Sequence, residues 1–156
     1  MKSIRKTQLL ELMKKILLVT DFSVHARNTF AYSIEMFGHV GVEYLLLNTY
    51  PQSDSGSEML IQINDLLEHE STKKLRDEWD FLTQKYRSNT LSIKMRSETG
   101  FLTDIVNQVC KNEGIDLVVL GATNGHSDSD AVTWDELLLA LEWPTLVVPL
   151  QYKLGG

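Results

Sequence analysis

Apolar positions along the chain fall into short continuous blocks alternating with stretches of three-to-four spacing. Ile16-Leu17-Leu18-Val19 within Lys15–Thr20 is the first block, and a short run without alternation fits a strand buried on both faces. Asp21-Phe22-Ser23 ends it, and Ser23 is placed to cap the helix marked by Ala26, Phe30, Ile34 and Phe37 and closed by Gly38. Val42–Thr49 predicts a second buried strand, and Pro51–Ser57 is loop chemistry. Leu60, Ile63, Leu67, Leu75, Trp79, Leu82 and Tyr86 predict one long helix with a gap in its stripe near Ser71. Leu91, Ile93 and Met95 alternate with polar residues, as in a strand nearer a sheet edge, and Gly100 breaks the pattern. Phe101, Ile105, Val109 and Cys110 outline a third helix stopped by Gly114. Asp116–Leu120 is a strand running into Gly121, Trp134–Trp143 a short apolar helix, and Thr145–Pro149 the last strand.

The order β-α-β-α-β-α-β-α-β predicts an α/β fold: a five-stranded parallel sheet with helices on both faces, Rossmann-like. In such sheets ligands bind beyond the carboxyl ends of the strands, where strand order reverses. The residues there are Val19, Thr20 and Asp21 after the first strand, Thr49 after the second, and Gly121, Ala122, Thr123, Asn124 and Gly125 after the fourth. Asp21 also suits a turn before a helix. Gly121 reads as a tight strand-to-loop turn or as a phosphate cradle.

Composition narrows the options. A chain of 156 residues is one domain by length, here divided into an N-terminal extension, 1–12, and a domain, 13–156. A second methionine, Met13, opens MKKILLVTDFS, so residues 1–12 are either a docking segment or lie upstream of the natural start. A net charge of −6 argues against generic nucleic-acid or anionic-membrane partners, which need clustered cations. No apolar run approaches the roughly 20 residues of a membrane span, and no signal peptide is evident, so a cytoplasmic location is expected. The single Cys110 reads as a small buried hydrophobe, and His25, His39 and His69 as surface residues. Asp128 and Asp130 beside His126 form a D-x-D pair without further ligand spacing, so no metal is expected. No nucleophile elbow, Walker loop or G-x-G-x-x-G occurs, so the chain reads as a non-enzyme without catalytic residues. A receiver-like phosphorelay domain would need a lysine after the fifth strand, and none precedes Lys153.

Three stretches carry a family resemblance. KKILLVTDFS followed by ARNTFAYSIEMF resembles the opening of universal stress proteins, GIDLVVLGATNG their fourth strand and glycine turn, and WPTLVVP their closing strand. The resemblance spans about Met13–Pro149 and implies an adenine-nucleotide alpha-hydrolase-like fold and a homodimer paired through the last strand, Thr145, Leu146, Val147, Val148 and Pro149. Many members bind ATP through G-x2-G-x9-G-[ST], whose glycines let backbone N–H groups approach phosphate. Here Gly121 matches the first glycine, position 124 is Asn, and Gly125 comes one residue late. Nine residues further on stand Trp134-Asp135 or Asp135-Glu136, and counting back from Pro144 gives Ala131-Val132, so no register supplies the last glycine. Between Lys111 and Lys153 there is no Lys or Arg, whereas Asp128, Asp130, Asp135 and Glu136 follow the fourth strand. Each like-charge contact within ~4 Å would cost a triphosphate about 1–4 kcal/mol. The resulting expectation is a stress-response interaction module that does not hold ATP in the usual way. Its alternative is an adenine-nucleotide-binding member with an altered loop, taking ATP or AMP, with Mg²⁺ and weak ATPase activity.

Overall fold

The computed structural model describes residues 13–38, 40–51, 58–86, 91–121 and 138–148, with only the backbone for 58–61. Five strands form one parallel sheet: β1 (Lys15–Thr20), β2 (Glu43–Tyr50), β3 (Ser92–Thr99), β4 (Leu117–Gly121) and β5 (Thr145–Val147). Their spatial order is β3-β2-β1-β4-β5, so the order reverses between β1 and β4. Among the described residues, three long helices lie between them: α1 (Val24–Phe37), α2 (Glu58–Lys85) and α3 (Leu102–Glu113). Of the apolar helix expected over 134–143, residues 134–137 lie outside the described residues, 138–140 are helical and 141–143 are not.

The two faces of β1 explain its unbroken apolar run. Ile16 and Leu18 pack with Phe30, Ile34, Leu75 and Leu82 from α1 and α2. Leu17 and Val19 pack on the opposite face with Val106, Val109 and Cys110 of α3. A strand between two helical layers must be apolar at every position, which removes the alternation. β3 lies at one edge and keeps its alternation, with Ile93 buried between exposed Ser92 and Lys94. Asp116 fixes the start of the central pair, its carboxylate accepting from the N–H groups of Lys14 and Lys15, both at 3.0 Å.

Caps formed where expected. Ser23 Oγ accepts from the Ala26 N–H at 3.0 Å at the start of α1, and Gly38 closes that helix at φ 80°. Gly114 closes α3 in the left-handed conformation. Phe101 departs from the expectation: it precedes α3 and is 78% exposed, while Val106 takes the core position.

α2 departs further. Its 28 residues span ~42 Å at 1.5 Å per residue, against ~26 Å for the eight-residue strands β2 and β3. From Ser71 onward it packs on the sheet, with Ser71, Leu75, Glu78, Leu82 and Tyr86 buried. Before Ser71 it extends beyond the carboxyl edge: Ile63, expected in the core stripe, is exposed, and so is Leu66. The apolar stripe thus runs on past the sheet that was expected to cover it.

Candidate functional site

The strand reversal places Thr20 of β1 in register with Gly121 of β4. Ligands of this architecture bind beyond that paired carboxyl end. Three consecutive side chains shape the chain as it leaves β1. Thr20 Oγ1 accepts from the Phe22 N–H, Asp21 Oδ1 accepts from the Ser23 N–H, both at 2.9 Å, and Ser23 Oγ caps α1. Phe22 adopts φ 65°, a conformation that costs an L-residue about 1–3 kcal/mol and persists only when its surroundings fix it. Its ring packs against the α1/α2 core, with the Lys74 ammonium 5.7 Å from its centroid.

A buried polar relay fixes that turn from behind. The Asn48 amide donates to the Thr20 carbonyl at 3.0 Å. Ser71 donates to Asn48 Oδ1 and Ser97 donates to Ser71 Oγ, each at 2.7 Å. The chain thus runs from β3 through α2 and β2 to the last carbonyl of β1. Ser71 is the gap noticed in the stripe of α2, and it stands in phase with Leu67 and Leu75. A polar residue in phase with a core stripe was the available signal, and its meaning needed partners from two other elements.

Gly121 turns out to serve close packing. Its φ lies outside the left-handed region, so no special conformation requires glycine there. A Cβ at this position would stand 2.8 Å from the Ala26 Cα and 2.8 Å from Phe30 Cε1. The missing side chain lets α1 press against the end of β4, and it brings the start of α1 to that carboxyl end.

The remaining candidates divide. Val19 is 6% exposed, within the α3-side core, and Thr20 is 4% exposed, occupied with the turn. Asp21 is exposed just past β1, and Thr49, half-buried, pairs in register with Glu98. Ala122, Thr123, Asn124, Gly125 and the D-x-D pair lie outside the described residues. Acidic groups gather at the β2 end of the rim. Burial pushes the Tyr50 phenol above its usual range, and Glu68, Glu98 and Asp65 push it further. Lys74, on α2 and so outside the cation-free stretch after β4, brings a positive charge near Phe22.

Of the last-strand residues, Thr145, Leu146 and Val147 form β5 at the sheet edge, with Val147 39% exposed. Val148 is buried, and its carbonyl lies 2.9 Å from His25 Nε2. A carbonyl only accepts, so Nε2 carries the proton there. His25, expected at the surface, is half-buried and ties α1 to the end of β5. His69 is exposed as expected, and His39 and Pro149 lie outside the described residues. Burial pushes the Cys110 thiol up to about 12, which suits an inert core residue. A shallow cleft at the opposite, amino edge is lined by Lys15, Glu43, Lys94 and Glu113. Lys15 pairs there with Glu43 and Arg96 with Glu113, so its charges largely cancel.

A doubly wound parallel sheet whose order reverses between β1 and β4 defines a Rossmann-like α/β domain. The sequence profile of the Universal stress protein family matches residues 13–149, and the chain belongs to that family. The universal stress protein UspA from Lactobacillus plantarum superposes with a TM-score of 0.70 at 17% identity, over 88% of this chain and 98% of that one. A universal stress protein solved in complex with cAMP gives 0.62 at 13% identity, over 88% and 97%. A family member from Arabidopsis thaliana with AMP bound gives 0.55 at 18% identity, over 86% and 90%. These likenesses show the fold. A search of curated proteins finds no match.

Proposed function

We propose that this protein is a non-catalytic, dimeric interaction module of the cytoplasmic stress response, whose crevice accepts the nucleoside end of an adenine ligand and disfavours a triphosphate. The observation that carries the reading is the geometry at the strand reversal. Thr20 pairs with Gly121 beside a fixed turn that leaves Asp21 exposed at the mouth. Related folds hold cAMP and AMP, which supports an adenine ligand here. Against the triphosphate stand the absent second glycine pair and the acids after β4. The acids at the end of β2 add to that repulsion.

Dimerisation is supported by the edge position of β5 and by exposed Leu138, Leu139 and Val147 nearby in the chain. An apolar edge strand invites pairing with a second copy. The nucleoside reading is tested by NMR titration of the ¹⁵N-labelled protein with adenosine. Saturable shifts at the amides of Thr20–Ser23, lost in Asp21→Asn, are expected. Saturation with shifts confined to other elements contradicts the assignment of the site.

A further inference from the structure

We infer that the first half of α2, residues 58–70, receives the N-terminal segment 1–12 of a second copy of the chain. Three observations carry this, and none depends on the nucleotide reading. The half-helix lies beyond the sheet, with Ile63 42% and Leu66 61% exposed on a helix that packs well from Ser71 onward. Three residues apart, Ile63 and Leu66 share one helix face, so they form a joint apolar patch rather than isolated exposed residues. The same stretch holds Glu58, Asp65, Glu68 and Glu70 and no Lys or Arg, so its fixed charge is negative throughout. Segment 1–12 is the complement in both respects. Lys2, Arg5 and Lys6 make its first half basic, and Leu9, Leu10 and Leu12 make its second half apolar.

The order of these features sets the direction. On α2 Ile63 precedes three of the four acids and Leu66 the last two, and in 1–12 the cations precede the leucines. Antiparallel alignment sets cations opposite Asp65, Glu68 and Glu70, and leucines opposite Ile63 and Leu66. Chain geometry excludes the contact within one copy. Met13 stands at the amino edge of the sheet, and Thr20 lies seven residues along, ~23 Å at 3.3 Å each. Ile63 stands a further ~12 Å up α2 from the level of Ser71 at 1.5 Å per residue. Leu9 can stray at most ~14 Å from Met13, so the leucines cannot cover the ~35 Å to Ile63 of their own chain. The occupant is therefore the segment of another copy. So small a surface supplements association rather than driving it, and the charge pairing makes it weaken as salt rises.

Zero-length carbodiimide cross-linking of the full chain tests this. Equal amounts of ¹⁴N- and ¹⁵N-labelled protein are mixed at micromolar concentration, allowed to exchange and analysed by mass spectrometry. Cross-links joining Lys2 or Lys6 to Asp65, Glu68 or Glu70 are expected, with mixed-isotope pairs as abundant as same-isotope pairs. Ile63→Ser/Leu66→Ser keeps every reacting group and should lower their yield about fivefold or more, by removing the apolar contact. Pairs of one isotope only, no such pairs, or a yield unchanged in the serine variant would each overturn the inference.

Discussion

Gly121 shows how a residue can be legible while its reason is not. Glycine after a strand suggested a turn, but the close approach of Ala26 and Phe30 is visible only once α1 is packed against β4. Gly121→Ala should destabilise the fold by about 1–3 kcal/mol, as overpacking does, measured by urea unfolding. A loss below a few tenths would refute the packing role. Two buried tyrosines give a pH signature. The Tyr44 hydroxyl donates to the Gly38 carbonyl at 2.6 Å and that of Tyr86 to the Ala31 carbonyl at 3.0 Å. Burial, chiefly, raises both phenols well above their usual range. Their folded values exceed the unfolded one, so their contribution is complete below pH ~10 and lost as pH rises beyond it, at up to ~1.4 kcal/mol per unit each. Tyr44→Phe should flatten the stability curve above pH 10 and leave its slope near neutrality unchanged, as followed by denaturant midpoints.

Between elements, α1 and α2 are held by an ion pair as well as by apolar packing. Arg27 donates from Nε and a terminal nitrogen to Glu78, whose side chain is 4% exposed, with the shortest contact 2.9 Å. The guanidinium also lies 4.3 Å from the centre of the Phe81 ring. Arg27→Ala leaves a carboxylate buried without its partner. Removing half of a fully buried pair costs ~3–5 kcal/mol, and with Arg27 partly in solvent about 1–3 kcal/mol is expected in chemical unfolding. The Glu78 hydrogen bond raises the arginine further above neutrality, so the guanidinium keeps its charge throughout the neutral range. Strand and helix positions were largely legible because burial between two layers writes continuous apolar blocks and caps write Ser, Gly and Asp at element ends. The polar relay of Asn48, Ser71 and Ser97 was not, because each residue is ordinary in its own element and meaningful only across three.

In the molecule as a whole, the strand order underlies both proposed surfaces: it reverses between β1 and β4 and leaves β5 at an edge. Alternation of strands and helices foretold a parallel sheet, whereas the edge position of the last strand followed from family resemblance alone. Val147→Lys on that edge should shift the protein toward monomer in light scattering at micromolar concentration, with its unfolding midpoint little changed. A wild-type monomer would end the dimer proposal. The central proposal is a site that keeps its nucleoside end and has an acidic segment in place of the family's phosphate loop. Calorimetry with adenosine, AMP and ATP, each with Mg²⁺, tests it most directly. Affinity should fall in the order adenosine, AMP, ATP, with ATP weaker than millimolar. ATP binding as tight as adenosine, or tighter, would contradict it.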